Sequence, residues 1–306
     1  MNQLDLISAM KAADARANVA RKYDETKLRY LVEMLEVIDK YELLNPEYDV
    51  RLFNGAIMKV NLREEVSRII FLNSIYENGL SRFFVDFLKL NNIVIDVGAH
   101  YGYFSILAAG LVGNMGEVHS FEPTPSTASF LQKNIRGYPQ ATVHCVAVGE
   151  DEGHIDFNDY GVNYSAFNSM YGARKGDGKL QPINCSQVPV TTLDAFCSRT
   201  NVKPDIVKID VESSEMLVLN GMQTVLKTNR PVVVIEMGDF SYLEKDGIPR
   251  SAEILSHMIA HSYSLYEPTI DGLIPHALKE DNYEYCNIVC IPSEHQSIEN
   301  LLCNNV

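Results

Sequence analysis

The segment Asn92-Ile-Val-Ile-Asp-Val-Gly-Ala-His-Tyr-Gly-Tyr-Phe-Ser105 constrains this chain more than any other. Ile93 to Val97 is a short β-branched run, the mark of a strand buried on both faces of a parallel sheet. Gly98 and Gly102 then let the backbone turn sharply and admit a ligand against it. Beyond Gly102, apolar residues at Phe104, Leu107, Ala108 and Leu111 follow helical spacing. Strand, glycine turn and helix make a βα unit of the nucleotide-binding type.

The turn discriminates among nucleotides. A dinucleotide site wants G-x-G-x-x-G, which seats a pyrophosphate on the helix N-terminus. Here Ala99, His100 and Tyr101 fill the space between the two glycines, and no Gly-Lys-Ser/Thr ending of a P-loop follows. Asp96 at the strand tip would repel phosphate; it suits an ammonium or the polar tail of an amino-acid-bearing nucleoside. That chemistry fits S-adenosylmethionine, although a plain βα turn with a helix-capping aspartate would look the same in isolation. A second acid narrows the choice. Glu117 to Glu122 reads as the next strand, with Glu122 at its tip and Pro123 stopping it. A carboxylate there is placed to accept from both hydroxyls of a ribose.

At 306 residues the chain has room for one large α/β domain and an appendage. A formal net charge of -14 and the lack of any basic run exclude proteins that track a phosphate backbone, so tRNA, rRNA and DNA are not expected partners. Six cysteines without a C-x-x-C pair read as reduced thiols. No signal-peptide pattern and no apolar run of the roughly 20 residues that span a bilayer are present. The expectation is a soluble cytoplasmic enzyme.

Along the chain, residues 4 to 45 read as helix, with an apolar stripe of Leu28, Leu31, Met34, Leu35 and Ile38. Such a stripe must bury against the catalytic domain, a bound substrate or a second copy, and the last would make a homodimer. Asp49 to Leu62 alternates around Asn54-Gly55, a hairpin signal. A soft boundary near residue 75 separates an extension, 1–75, from a sheet domain, 76–306. Helices are expected over Ser81 to Leu90, Pro125 to Arg136, Thr192 to Arg199 and Arg250 to His261. After the strands at Ile93 and Glu117 come Ala141 to Val148, Asp205 to Asp210, Arg230 to Glu236, Tyr263 to Glu267 and Tyr285 to Ile291. This alternation predicts a doubly wound, mostly parallel seven-stranded sheet with an antiparallel edge. Asp151, in the turn after the third strand, could accept from an adenine amino group or be a solvated acid. Between two alternating segments at His154 and Cys185 lies a long polar stretch with Gly161, Gly172, Gly176 and Gly178. Its length favours a functional loop or lid. Its aromatic and amide residues (Tyr160, Asn163, Tyr164, Phe167, Asn168, Tyr171) suit a hydroxylated substrate.

Taken in order, these pieces carry a family pattern. Tyr76-Glu77, Asp96-Val-Gly-Ala with Gly102, Phe121-Glu-Pro-Thr-Pro, Leu131 with Asn134, Ala147-Val-Gly, Thr192-Leu-Asp194 and Lys208-Ile-Asp-Val-Glu212 with Glu215 follow one another. From Tyr76 to Ile291 the chain resembles the FkbM family of class I S-adenosylmethionine-dependent methyltransferases. The resemblance implies O-methylation of a hydroxyl on a sugar, glycan or natural-product acceptor. With the residue reading, it gives Glu77, Asp96, Gly98, Ala99, His100, Tyr101, Gly102, Glu122, Pro123, Ala147, Val148, Asp151 and Asp210 as cofactor-binding candidates. S-adenosylhomocysteine would be the product. Two positions depart from the pattern: the family usually has Asn where His100 stands and Gly where Ser213 stands.

Ligands of open α/β sheets sit outside the C-terminal strand ends. This places Asp210, Glu212 and Glu236 near a reacting methyl, with Lys208 on the face of Asp210. These four are the catalytic candidates. Lys208 could be a structural ion pair, a substrate anchor or, with a lowered pKa, a base. Asp210, Glu212 and Glu215 could hold Mg²⁺, but a helix dipole already favours Glu215 in a first turn, so no metal ligand is assigned. Two other functions fit less well: N-methylation of a small amine, which the carboxylates would suit, and a non-catalytic nucleoside-binding module.

Overall fold

The computed structural model describes residues 2–23, 33, 37, 40, 45–173, 180–239, 250–279, 282–295 and 301–303. The stripe from Leu28 to Ile38 and the loop glycines Gly176 and Gly178 lie outside the described residues. The chain opens with α1 (Gln3–Tyr23), the hairpin β1 (Glu47–Arg51) and β2 (Ile57–Asn61), then α2 (Glu65–Asn73) and α3 (Asn78–Phe87). The βα unit follows as β3 (Ile93–Val97) and α4 (Tyr103–Val112), and then β4 (Glu117–Phe121) and α5 (Pro125–Ile135). Next come β5 (Ala141–His144), β6 (Ala147–Val148), β7 (Gly153–Asp159), a 3-10 helix (Val162–Phe167) and β8 (Asn184–Thr191). The remainder is α6 (Leu193–Thr200), β9 (Ile206–Ile209), α7 (Glu215–Asn220), α8 (Gln223–Thr228), β10 (Val232–Met237), α9 (Ser251–Ala260), β11 (Tyr263–Thr269), β12 (Gly272–Pro275) and β13 (Cys286–Pro292).

The main sheet runs β12-β11-β13-β10-β9-β3-β4-β5. Its five strands from β10 to β5 are parallel, and β13, β11 and β12 close it with antiparallel pairings. The α/β class and the antiparallel edge are as expected; β12 adds an eighth strand to the seven read from the sequence. Alternate residues of each central strand feed opposite faces. Val94, Val118, Ile206 and Val234 pack with α4, while Ile95, Val207, Ile209 and Ile235 pack with α6 to α9. Both faces are therefore covered by helices, the condition under which parallel strands become apolar throughout.

One expected strand divides. Ala141 to Val148 is not a single third strand: β5 ends at His144, and β6 pairs instead with β8 in a separate three-stranded sheet, β6-β8-β7. The side sheet walls one flank of the strand tips. The Asn54-Gly55 hairpin forms as expected, with Gly55 at φ +88. Asn134 of α5 ties it to the glycine turn: Asn134 accepts from Lys59 N at 2.7 Å and donates to Tyr101 O at 2.8 Å. The start of α1 packs on α3 through buried Leu6, Met10 and Ala13, and Gln3 donates to Val85 O at 3.1 Å. Among the described residues, no helix is long and apolar enough to cross a membrane.

Candidate active site

Parallel strands end side by side, so the tips of β3, β4, β9 and β10 gather their polar residues at one edge. Asp96 lies opposite Lys208 in the β3–β9 register. Gly98 has φ +78, and a Cβ built on it would stand 1.7 Å from the carbonyl oxygen of Asp210. The close approach of the two strand tips thus requires glycine. His100 also takes a left-handed conformation, φ +48. Its amide donates to Glu122 Oε2 at 3.2 Å, and the amide of Thr124 donates to Oε1 at 2.9 Å. These bonds fix the carboxylate, yet burial outweighs them and pushes the Glu122 carboxyl up to about 7.

Beneath this turn, Ser105 Oγ donates to Asp96 Oδ2 at 2.6 Å, and Ser120 Oγ donates to Ser105 at 2.8 Å. Asp96 Oδ1 is buried with no hydrogen-bond partner. Glu77, at φ 42, accepts from Asn287 at 2.7 Å through Oε1, while its Oε2 is likewise buried without a partner. Burial pushes its carboxyl up to about 7, against the pull of Lys208. Lys208 is 3% exposed and its Nζ lies 2.7 Å from Asp210 Oδ2. Burial draws its pKa down, but Asp210, Asp96, Glu77 and Glu236 together drive it above the ordinary lysine value. An ammonium held this firmly cannot accept a proton. The charges around Lys208 thus favour its protonated form and its pairing with Asp210.

Glu236 is buried, and its carboxyl is raised well above the usual range by burial first and by Asp210, Glu77 and Glu212 next. Asp210, Glu212 and Glu236 each place one carboxylate oxygen within 4.8 Å of the others. Glu215 is not in this group. Its Oε1 turns back to accept from Ser213 N at 3.1 Å at the start of α7, the helix-end role that competed with the Mg²⁺ reading. Glu212 and Ser213 both have positive φ, 49 and 83, which fits the family's usual glycine at the second position.

A cleft of about 460 Å³ opens over these tips, within the range of small-molecule sites. Gly98, His100, Glu122, Pro123, Ala147, Val148, Asp210, Glu212 and Glu236 line it. Asp96, Ala99, Tyr101, Gly102 and Lys208 line a small recess that shares Gly98, His100 and Asp210 with the cleft. Glu77 meets the same cluster through the field of Lys208. Asp151 is apart: it is exposed in the turn after β6 and lines neither cavity. Of the loop residues expected at the substrate, Phe167 and Asn168 reach the cleft, whereas Tyr160 is buried and donates to Tyr171 O at 3.3 Å.

The profile of the Methyltransferase FkbM domain family matches residues 96–265, more than half of the chain. The chain belongs to the FkbM methyltransferase family. It is 25% identical over 182 residues to the hexuronic acid methyltransferase AglP of Haloferax volcanii, covering 59% of this chain and 70% of that protein. It is 31% identical over 101 residues to the ribosomal RNA small subunit methyltransferase G of Campylobacter jejuni, covering 32% of this chain and 50% of that one. Among solved structures, it is similar to the methyltransferase FkbM of Methylobacillus flagellatus, at 18% identity and a TM-score of 0.41. That likeness covers 66% of this chain and 44% of the other, so the chain spans under half the length of that relative.

In this FkbM chain several residues in or beside the cleft escaped the sequence reading. Tyr285 donates to Glu212 Oε1 at 2.7 Å, and Asn287 holds Glu77. Tyr285 immediately precedes β13 and Asn287 is its second residue; the strand lies antiparallel to β10 and pairs Asn287 with Glu236. A final antiparallel strand must begin where its parallel neighbour ends, and that rule would have found them. Val66 and Ile69 of α2, Ile155 and Phe157 of β7, and Met170 form the apolar wall. No local signal marked them.

Proposed function

We propose that this protein is an S-adenosylmethionine-dependent methyltransferase acting on a hydroxyl of a sugar, glycan or natural-product acceptor. The observation that carries the cofactor reading is the set of acceptor oxygens on Asp96 and Glu122 at the strand tips and on Glu77 at the start of α3. Asp96 Oδ1 and Glu77 Oε2, buried carboxylate oxygens without partners, fit an amino group. Glu122, aimed by two backbone amides, has lone pairs left for a ribose diol. Phe121, Val146 and Val148 offer apolar surface for a base. When bound, the cofactor supplies an electrophilic methyl group. The chain's task is then alignment and removal of the acceptor's proton. Asp210, held in place by Lys208, is the cleft carboxylate that would take that proton, while burial favours the protonated form of Glu236. The name of the Haloferax relative supports a sugar acceptor.

Glu122 provides the test. Glu122→Ala should weaken S-adenosylhomocysteine binding by about 1–3 kcal/mol through lost charge-assisted bonds. The wild-type affinity should also depend on pH with a defined sign. The folded carboxyl is raised to about 7, so its protonated share grows as pH falls through 7 and the acceptor form is lost. Affinity should be level above that pH and decline below it, and Glu122→Ala should make the decline shallower, leaving the share due to Glu77, whose carboxyl is also raised to about 7. Calorimetry across pH that finds the variant binding like wild type would remove Glu122 from the cofactor site.

A further inference from the structure

His100 faces two ways. Its main-chain amide holds Glu122, on the side assigned to the cofactor, at 3.2 Å. Its side chain crosses the cleft: Nε2 shares a hydrogen bond of 2.9 Å with Ser165 Oγ, in the 3-10 helix Val162–Phe167. The imidazole is braced rather than free to swing. It stacks on Tyr101 with centroids 4.2 Å apart and planes 6° apart, and Tyr101 stacks in turn on Phe130 of α5 at 4.5 Å. Tyr101 is anchored through its carbonyl by Asn134. Ser165 is itself buried, and its short helix contributes Ser165, Ala166 and Phe167 to the cleft wall. A braced ring on the glycine turn thus holds a segment of the cleft wall.

We propose that the His100–Ser165 hydrogen bond is a latch through which cofactor occupancy of the glycine turn orders the 3-10 helix over the acceptor side of the cleft. His100 is then a positioning residue for the acceptor, beyond any part its amide plays at the cofactor. The proposal rests on the S-adenosylmethionine reading above. It also accounts for a departure from the family pattern. Asn is at home in a left-handed turn, but its amide ends where Nδ1 of a histidine would be. Only a longer side chain reaches the place of Nε2, and glutamine does.

The test is hydrogen exchange of the full chain with and without S-adenosylhomocysteine, with calorimetry in parallel. In the wild type the ligand should slow exchange of the amides at 97–102 and also of those at 162–167, the latter by about tenfold. Ser165→Ala should bind the ligand within about threefold of wild type and keep the protection at 97–102, yet lose that at 162–167. His100→Asn should lose most of it, leaving only what the Tyr101 side chain's own hydrogen bond to Ser165 supplies, and His100→Gln should retain it. Protection at 162–167 that survives in Ser165→Ala and His100→Asn would overturn the latch, as would a Gln variant no better protected than the Asn variant. A wild type that binds the ligand but protects 97–102 alone would overturn it too. Failure of the wild type to bind the ligand at all would be read in the calorimetry, and would bring down the cofactor reading on which the latch stands.

Discussion

Asp210→Asn should lower kcat for methyl transfer by about 10²–10⁴, the range for losing general-base help. The substitution keeps shape and volume but removes the negative charge that lies 2.7 Å from Lys208 at the floor of the cleft. Two consequences oppose each other. The buried ammonium loses its nearest counter-charge, which destabilises the fold. Glu236, whose carboxyl is raised in part by Asp210, becomes easier to ionise and takes over some of that role. Because Asp96, Glu77 and Glu236 remain around Lys208, the stability loss should stay below the 3–5 kcal/mol typical of an orphaned buried charge. Steady-state rates and a denaturant midpoint, measured together, separate the two effects. Full activity in the variant would move the base to Glu236. The methyl carbon of the product should resonate in the methoxyl region; an N-methyl resonance would assign the amine acceptor instead.

Among the described glycines, Gly98→Ala should be the most damaging added methyl group. Its Cβ would lie 1.7 Å from a backbone oxygen, that of Asp210, and backbone cannot swing aside as a side chain can. The new residue would also sit at φ +78, which L side chains seldom adopt. The β3 and β9 tips must then separate, at a cost of about 3 kcal/mol or more in stability. Separation also spoils the site, and S-adenosylhomocysteine affinity should fall by more than about a hundredfold, some 2.7 kcal/mol. Gly55→Ala is the control. That glycine has φ +88 but nothing within 4 Å of the added carbon, so it isolates the backbone strain, about 1–2 kcal/mol. Equal denaturation midpoints for the two variants would mean that the strand tips are not locked together as described.

The strand tips were legible because their information is local. Asp96 and Gly98 lie at the end of a β-branched run, Glu122 is followed by the strand-stopping Pro123, and a parallel sheet puts such ends on one edge. What failed was information held by distant partners. Ala141 to Val148 alternates like one strand, but whether Ala147 pairs with β4 or with β8 depends on a segment some forty residues on, where Ala147 meets Val190. The same division sends Asp151 into solvent, away from the cleft it was expected to serve. Glu215 and Glu236 differ for a related reason. A carboxylate in the first turn of a helix has a backbone partner at hand, whereas Glu236 joins Asp210 and Glu212 through the β9–β10 pairing. Lys208 was read with its alternatives open; the four carboxylates that favour its protonated form are gathered from separate elements, so their combined field could not be read locally.

The claim on which the rest depends is that the strand tips hold an S-adenosyl nucleoside. Titration of the wild-type protein with S-adenosylhomocysteine in a calorimeter tests it most directly. The account predicts one site with a dissociation constant in the micromolar range, roughly -8 kcal/mol, and no comparable heat from NAD. No binding of S-adenosylhomocysteine, or tighter binding of NAD, would contradict it.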